Sequence, residues 1–380
     1  MLLTGAKVVV PGGVLDPGWL RLALGRIAAV GSGRPSPERG EQHRELTGRT
    51  ILPGFIDLHV HGGGGGTYTG GDPVEVRRAR AFHRSGGTTR SLASLVTAPL
   101  DDLLSALASL AELAESGLIA GVHLEGPFLS HDFCGAQDPR YLLAPDAEVL
   151  NRLIAAGRGS VRMVTVAPEL PGAIELIRRI VDVGAIAAIG HSNATYATAT
   201  SAIDAGASVA THLCNGMRPI HKREPGIVGA ALERQEVVCE LIADGHHLHP
   251  AVLRLVFTTA SERVALVTDA ISAAGVEDGR YRLGPASVQV VHGVAHLEGT
   301  QTLAGSTTTL AGAVRHAVID AGLPLAAVAR AASAVPAQLL GISHDVGTIE
   351  VGKVADIVVL DTQFAVEAVF SGEEWQPAVR

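Results

Sequence analysis

From residue 51 to about residue 340, short apolar runs alternate with stretches whose apolar residues recur at helical spacing. This alternation is typical of strand–helix units that build a parallel sheet. The helical stretches include 99–116, 143–157, 170–183, 195–205 and 250–260. The strand candidates are 54–60, 88–96, 120–126, 161–167, 185–190, 209–213, 237–243 and 263–268. Eight such units predict the α/β class and a (β/α)8 TIM-like barrel, with a doubly wound open sheet as the alternative.

The two ends of the chain differ from this middle part. Residues 1–50 contain short strand-like pieces between Gly- and Pro-rich turns, and the last forty residues repeat that pattern, for example at 347–351 and 355–360. Neither end could bury a core alone. We therefore predict one small β-sandwich domain built from 1–50 and 343–380, with the barrel over 51–342 inserted between them.

The amino-acid composition limits the kinds of partner that this protein is expected to bind. Hydrophobic residues make up 47% of the chain and charged residues 18%, which suits a large core and argues against disorder. The net charge of −8 argues against a general nucleic-acid binder. We find no apolar run long enough for a membrane span and no signal-peptide pattern, and the three cysteines form no CxxC pair. These features predict a cytoplasmic protein with no nucleic-acid or membrane partner.

The first barrel strand carries an HxH pattern. Side chains alternate along a strand, so Asp57, His59 and His61 share one face, which is the interior of a closed barrel. Buried imidazoles are costly unless they bind something, and imidazole is a common ligand of Zn and Fe. Two ordinary strand histidines are the alternative explanation of the HxH pattern alone.

Further polar residues stand where other predicted strands end. They are Glu125, His191, His212 and Asp269. Barrel enzymes build their sites at the C-terminal ends of their strands, so these groups are expected to converge with the HxH pair. One or two divalent cations there would activate water and polarise a carbonyl. We predict metal-assisted amide hydrolysis with Asp269 as the acid/base, and a metal-ligand role for Asp269 is the alternative.

Two segments resemble the hallmarks of the amidohydrolase superfamily: LPGFIDLHVHG at strand one and VGTIEVGKVADIVVLD near the C-terminus. Many members bridge two metals with a carboxylated lysine on strand four, but residues 161–168 contain no lysine, which leaves Glu125 as the bridging group. With HLEGPF, GHSNA, THLCNGM, REPG, ADGHH, VTDA and LAGS, the whole chain resembles the N-acetylglucosamine-6-phosphate deacetylase family.

That resemblance implies a role for each matching residue. It makes Glu125, His191 and His212 the shared metal ligands, His59 and His61 the ligands of a second divalent metal (Zn, Fe, Mn or Co), and Asp269 the catalytic acid/base. The implied substrate-binding residues are Ala136, Gln137, Asn215, Gly216, Arg223, His247, Leu303, Ala304 and Gly305. Gln137 stands where the family usually has a histidine that contacts the sugar, so tolerance for other N-acyl amino-sugar phosphates stays open.

The resemblance also implies an activity and an assembly. The expected reaction converts N-acetyl-D-glucosamine 6-phosphate and water into D-glucosamine 6-phosphate and acetate, in amino-sugar catabolism and cell-wall recycling. The expected assembly is a homodimer in which Arg223 and His247 bind the phosphate and Arg223 crosses the interface. The alternatives are a different amidohydrolase, such as a cyclic amidase, and a non-catalytic sugar-phosphate sensor. Taken alone, Arg223 also fits the alternative of an ordinary charged loop residue that is exposed to solvent.

Overall fold

The computed structural model describes residues 1–372 and 374–377. The chain divides into two compact units. The first contains 1–57, 83–90 and 309–380, and the second contains 58–82 and 91–308. All the predicted metal, catalytic and substrate-binding residues belong to the second unit.

Strands and helices follow one another in the order that the sequence predicts. The strands are β1 (Leu2–Val10), β2 (Gly13–Ala23), β3 (Arg26–Ser32), β4 (His43–Glu45), β5 (Thr50–Pro53), β6 (Phe55–Asp57), β7 (Gly62–Gly63), β8 (Gly66–Thr67), β9 (Thr88–Leu95), β10 (Gly121–Glu125), β11 (Val161–Val166), β12 (Ile186–Ile189), β13 (Val209–Ala210), β14 (Val238–Ile242), β15 (Val264–Val267), β16 (Gly279–Leu283), β17 (Ala286–Val291), β18 (Val294–Leu297), β19 (Ile357–Leu360), β20 (Val366–Ser371) and β21 (Glu374–Pro377). The α-helices are α1 (Pro73–Ser85), α2 (Leu100–Glu115), α3 (Ala147–Ala156), α4 (Ala173–Asp182), α5 (Tyr196–Asp204), α6 (Gly226–Glu233), α7 (Pro250–Ala260), α8 (Leu310–Arg315), α9 (Leu325–Ala329) and α10 (Val335–Leu339).

The barrel strands pair in sequence order: β6, β9, β10, β11, β12, β13, β14 and β15. A doubly wound sheet would reverse its strand order at a switch point, so this order rules out the open-sheet alternative. The chain just after β6 meets the chain just after β15 through a parallel bridge between Val60 and Ala270. The predicted (β/α)8 barrel is confirmed.

The helices that separate these strands are amphipathic for the expected reason. In α4 the buried residues Ala173, Leu176, Ile177 and Ile180 recur at the spacing that lines one helical face. Helix α3 begins at Asp146, whose carboxylate accepts hydrogen bonds from two backbone N–H groups of its first turn. The barrel strands are buried along nearly their whole length, as parallel strands covered by helices should be.

Strands from both chain ends form a separate sheet, as predicted. Its order is β21-β20-β19-β5-β1-β2-β3, with β4 paired to β1. The join between the two ends is the antiparallel pairing of β19 with β5, in which Ile357 lies opposite Pro53. Leu3, Leu20 and Phe370 belong to one buried apolar cluster of this sheet. The domain boundaries at residues 50 and 342 stay a prediction.

An insertion follows β15 and precedes α8. Its strands β16, β17 and β18 form an antiparallel three-stranded sheet. The apolar residues of this sheet, including Leu283 and Val288, pack with Ile271 from the loop after β15 and with Ala304. Among the described residues, no helix is both long and apolar enough to cross a membrane.

Candidate metal centre and active site

Polar residues stand at the C-terminal ends of several barrel strands. Glu125 is the last residue of β10, whereas His191, His212 and Asp269 each lie two residues beyond the end of β12, β13 and β15. These last three residues have φ values of 48°, 29° and 49°, a region that non-glycine residues rarely adopt. Such conformations persist where the surrounding structure holds them, and they cluster at functional sites.

The HxH segment differs from the sequence expectation in one respect. The regular strand β6 ends at Asp57, so His59 and His61 lie beyond it rather than within a strand that continues to residue 60. The segment pairs with the chain after β15 instead: the His59 carbonyl accepts from the Asp269 N–H at 2.8 Å, and the His61 N–H donates to the Ala270 carbonyl at 2.8 Å. Both imidazoles still face the same point.

The side chains converge closely. The Nε2 atoms of His191 and His212 each lie 3.0 Å from Oε1 of Glu125. His59 Nε2 lies 3.4 Å from the same Oε1, and His61 Nε2 lies 3.3 Å from the other oxygen, Oε2. His61 Nε2 is also 3.1 Å from Oδ1 of Asp269. Every one of these groups is buried.

Backbone contacts set the orientation of two of the rings. His61 Nδ1 donates to the Ser94 carbonyl at 3.1 Å, and His191 Nδ1 donates to the Phe133 carbonyl at 2.9 Å. A neutral imidazole whose Nδ1 carries the proton presents a lone pair at Nε2. Both lone pairs therefore point at the Glu125 carboxylate, an arrangement that a cation between them would stabilise.

The distances between the potential ligand atoms also fit a divalent cation. Ligand atoms from His59, His61 and Asp269 lie within 4.8 Å of one another, and so do those from His59, Glu125 and His212. Imidazole and carboxylate suit several first-row metals. These residues therefore fit a divalent metal site.

The electrostatics of the cluster agree with this. Burial lowers the pKa of His61, but Asp269 and Glu125 raise it more, to about 9. Burial raises the pKa of Asp269, but His59 and His61 lower it more, so this carboxyl is held ionised at neutral pH. The same carboxylates that favour a protonated imidazole favour a bound cation.

One buried acid next to these ligands was not identified from the sequence. Glu240, on β14, places Oε2 3.3 Å from Nδ1 of His59 and accepts the backbone N–H of His212 at 3.2 Å. The available signal was a charged residue within the otherwise apolar run VVCELIA. That signal assigns no role, because an acid within a strand does not by itself reveal what it faces.

A cavity of about 330 Å³ opens above the cluster. Its lining includes the predicted residues His61, Glu125, Ala136, Gln137, His191, His212, Asn215, Gly216, His247, Asp269, Leu303 and Gly305. Gly216 packs so tightly on His191 that a Cβ there would lie 2.9 Å from the ring. Of the remaining predicted residues, His59 lies below the cavity floor, fully buried, and Ala304 packs in the apolar cluster of the insertion.

Gln137 is held by two hydrogen bonds. Its Oε1 accepts the Thr97 backbone N–H at 2.7 Å, which directs its amide nitrogen towards Glu125. Nε2 then donates to Oε2 of Glu125 at 2.6 Å. The residue at the position expected to contact the sugar therefore also supports the Glu125 carboxylate.

The two residues expected to bind phosphate are placed differently. His247 lines the cavity, and its Nδ1 donates to Oδ2 of Asp244 at 2.8 Å. Burial lowers the pKa of His247, and the bond to Asp244 raises it more, while the pKa of Asp244 falls to about 2. Arg223 is exposed and does not belong to the described residues that line the cavity.

Comparison with known proteins identifies the family of the chain. The amidohydrolase family model matches residues 50–375. A variant of the N-acetyl-D-glucosamine-6-phosphate deacetylase of Mycobacterium smegmatis, solved in complex with N-acetyl-D-glucosamine-6-phosphate, is 46% identical, with a TM-score of 0.95 over 99% of this chain and 98% of that one.

Two curated relatives also match along nearly their whole length. An N-acetylgalactosamine-6-phosphate deacetylase of Escherichia coli O157:H7 is 37% identical over 97% of each chain. An N-acetylglucosamine-6-phosphate deacetylase of Bacillus subtilis is 34% identical over 95% of this chain and 93% of the relative. The match to the family model and these full-length similarities show that the chain belongs to the amidohydrolase family.

Proposed function

We propose that this protein is a metal-dependent deacetylase that hydrolyses N-acetyl-D-glucosamine 6-phosphate to D-glucosamine 6-phosphate and acetate. We place the reaction in amino-sugar catabolism and cell-wall recycling, in the cytoplasm. One observation carries the proposal: a single cavity is lined by the histidine–carboxylate cluster and by His247, whose Nδ1 donates to Asp244. An amide and a phosphate of one small substrate can therefore be bound together.

The ligand arrangement supports two cation positions, holding Zn, Fe, Mn or Co. Glu125, His191 and His212 form one, and His59 and His61 form the other. Oε1 of Glu125 lies within 3.4 Å of Nε2 of His59, His191 and His212, and Oε2 lies 3.3 Å from Nε2 of His61. When bound there, such a cation polarises the amide carbonyl and lowers the pKa of a water molecule. Asp269 is within ligand distance of the His59–His61 pair, so its own metal-ligand role remains the alternative.

Asp269 is the proposed proton carrier. Its Oδ1 lies 3.1 Å from His61 Nε2 and the carboxyl lines the cavity, where a substrate amide would lie. Its lowered pKa keeps it ready to accept a proton from the attacking water. The same oxygen then returns that proton to the amine as the C–N bond breaks.

The rest of the cavity serves recognition. Ala136, Asn215, Gly216, Leu303 and Gly305 line the cavity and enclose the sugar in this proposal. The imidazolium of His247, stabilised by Asp244, donates to the phosphate. Arg223 completes the phosphate site from the second subunit of a homodimer, which is consistent with its exposed position on its own chain.

A second candidate substrate is the galactosamine epimer. It is favoured by the 37% identity to a relative named N-acetylgalactosamine-6-phosphate deacetylase. Gln137 also leaves this question open, because a glutamine can donate and accept but carries no charge with which to discriminate between sugars.

An acetate-release assay on a small panel tests these proposals. The panel contains N-acetylglucosamine 6-phosphate, N-acetylgalactosamine 6-phosphate, unphosphorylated N-acetylglucosamine and a cyclic amide. We expect the highest kcat/KM on N-acetylglucosamine 6-phosphate. A preference for the galactosamine epimer would select the second candidate, hydrolysis of the cyclic amide alone would select a cyclic amidase, and substrate binding without acetate release would indicate a sensor.

A further inference from the structure

Glu240 is a fully buried carboxylate that the reaction described above does not use. It lies in the middle of β14, between neighbours that are also buried. Among the described residues, its Oε1 has no hydrogen-bond partner, whereas Oε2 makes both of the contacts given above. Burying a carboxylate with one oxygen unsatisfied is costly, so its presence calls for a compensating charge nearby.

The two contacts of Oε2 reach the two proposed cation positions in different ways. At His59 the contact is to the ring, through Nδ1 at 3.3 Å. At His212 the contact is to the backbone N–H, at 3.2 Å. Only the His59 imidazole therefore has its orientation and proton position set by Glu240, because a hydrogen bond to Nδ1 leaves the lone pair on Nε2.

The charge balance of the cluster also favours a second cation. Glu125, Asp269 and Glu240 are three buried carboxylates that contact the same group of histidines. With the histidines neutral, as metal ligands are, one divalent cation does not neutralise three negative charges, and a second one does so with charge to spare. A carboxylate behind a ligating histidine also makes the imidazole a stronger donor to a metal.

We propose that Glu240 is a positioning residue that holds His59 in its metal-binding form and thereby maintains the second cation position. The position formed by Glu125, His191 and His212 does not depend on it in the same way, because its rings make no contact with Glu240 that is comparable to the His59 bond. This inference rests on the proposed two-cation function and adds a residue to it.

The test is a titration of apo protein with Zn²⁺ alone, in competition with a chromophoric chelator, to obtain both affinities. The variant is Glu240→Gln, which keeps the size and one acceptor oxygen but removes the charge. His59→Ala identifies which affinity belongs to the His59–His61 position. We expect Glu240→Gln to weaken that affinity by about 10- to 100-fold and to leave the other nearly unchanged.

A matched control is Thr165→Val, which removes another buried polar group of the barrel. Thr165 bonds to His123 and Thr211 and is not among the proposed ligands. It should lower the melting temperature and leave both Zn²⁺ affinities unchanged. If Glu240→Gln does not fold, Glu240→Asp replaces it: the charge remains but the reach shortens, and the same selective loss is expected.

Equal weakening of both affinities, no weakening of either, or a wild-type stoichiometry of one Zn²⁺ would overturn the inference. The deacetylase function has a separate readout, because acetate release by the wild type does not enter this titration. A protein that shows the selective Zn²⁺ loss but releases no acetate would retain the Glu240 assignment and lose the proposed activity.

Discussion

The floor and the wall of the cavity differ in how many of their proposed functional side chains one chain brings together. At the floor, Glu125 and the histidines around it come from several strand ends of one chain, are buried, and contact one another within hydrogen-bond distance. In the wall, His247 has its orienting partner Asp244, but Arg223 is exposed and away from the cavity lining. The proposed metal ligands are brought together within the chain, whereas of the two residues proposed to bind phosphate, His247 alone is among the described residues that line the cavity.

This difference follows from what the floor and the wall of the cavity must each do. Cation binding and proton transfer need fixed geometry in a water-poor setting, which buried hydrogen bonds supply. Phosphate is bound by charge and reach, which an arginine from a neighbouring subunit can provide, as we propose for Arg223. Substitutions at the floor should therefore affect turnover, and substitutions in the wall should affect substrate preference.

The largest effect is expected at Asp269. Asp269→Asn keeps the shape but removes the base, so turnover should fall by about two to four orders of magnitude. Metal content, measured by elemental analysis, should fall little. Turnover near the wild-type value would contradict the proton-carrier role, and loss of the metal would make Asp269 primarily a ligand.

A smaller effect is expected at Arg223. A charged hydrogen bond is worth roughly 1.5–3 kcal/mol, so Arg223→Ala should lower kcat/KM for the phosphorylated sugar by about 10- to 150-fold. The matched measurement is kcat/KM for unphosphorylated N-acetylglucosamine, which should change much less. Arg223→Lys should recover part of the loss, because it restores the charge but not the two-pronged geometry. An unchanged ratio between the two sugars would remove Arg223 from the phosphate site.

Mixing two impaired variants tests whether Arg223 acts across a subunit interface. Arg223→Ala and Asp269→Asn proteins are combined and allowed to exchange subunits. In a mixed dimer, one site would carry both defects and the other neither, so the activity should rise above that of either variant alone. Exchange demonstrated without recovery of activity would place Arg223 in the site of its own chain.

The smallest and most specific effect concerns the His247–Asp244 pair. Because Asp244 raises the pKa of His247, Asp244→Asn should lower that pKa and make the imidazole neutral at a lower pH. The KM for the phosphorylated sugar should then begin to rise at lower pH than in the wild type, with little change in kcat. A pH profile of KM that does not move would separate the pair from phosphate binding.

The His247–Asp244 pair should also affect how the unfolding free energy depends on pH. The pKa of Asp244 is lowered to about 2, so its contribution to stability is present above its ordinary value of 3.8 and is lost as pH falls towards 2. The pKa of His247 is raised, so its contribution is complete below 6.5 and is lost as pH rises through the folded value. The difference in unfolding free energy between wild type and Asp244→Asn should be greatest between about pH 4 and 6.5. A difference that is flat with pH would contradict the ion pair.

Much of the site was predictable because, in a barrel, the position of a residue along its strand determines where its side chain lies. Residues at the ends of parallel strands share one face of a barrel, so Glu125, His191 and His212 could be grouped from the strand pattern alone. The HxH spacing also indicated that both imidazoles face inward. That reasoning did not predict that β6 stops at Asp57 and that the HxH segment pairs with the chain after β15.

The sequence by itself determined the barrel, the sheet made from both chain ends and the group of residues at the strand ends. These depend on local periodicity and on which strand follows which. Only the tertiary structure revealed that Glu240 lies behind His59, that Gln137 supports Glu125, and that Arg223 is away from the cavity of its own chain. Those relations depend on strand register, ring orientation and loop course, which are set by packing between residues far apart in the sequence.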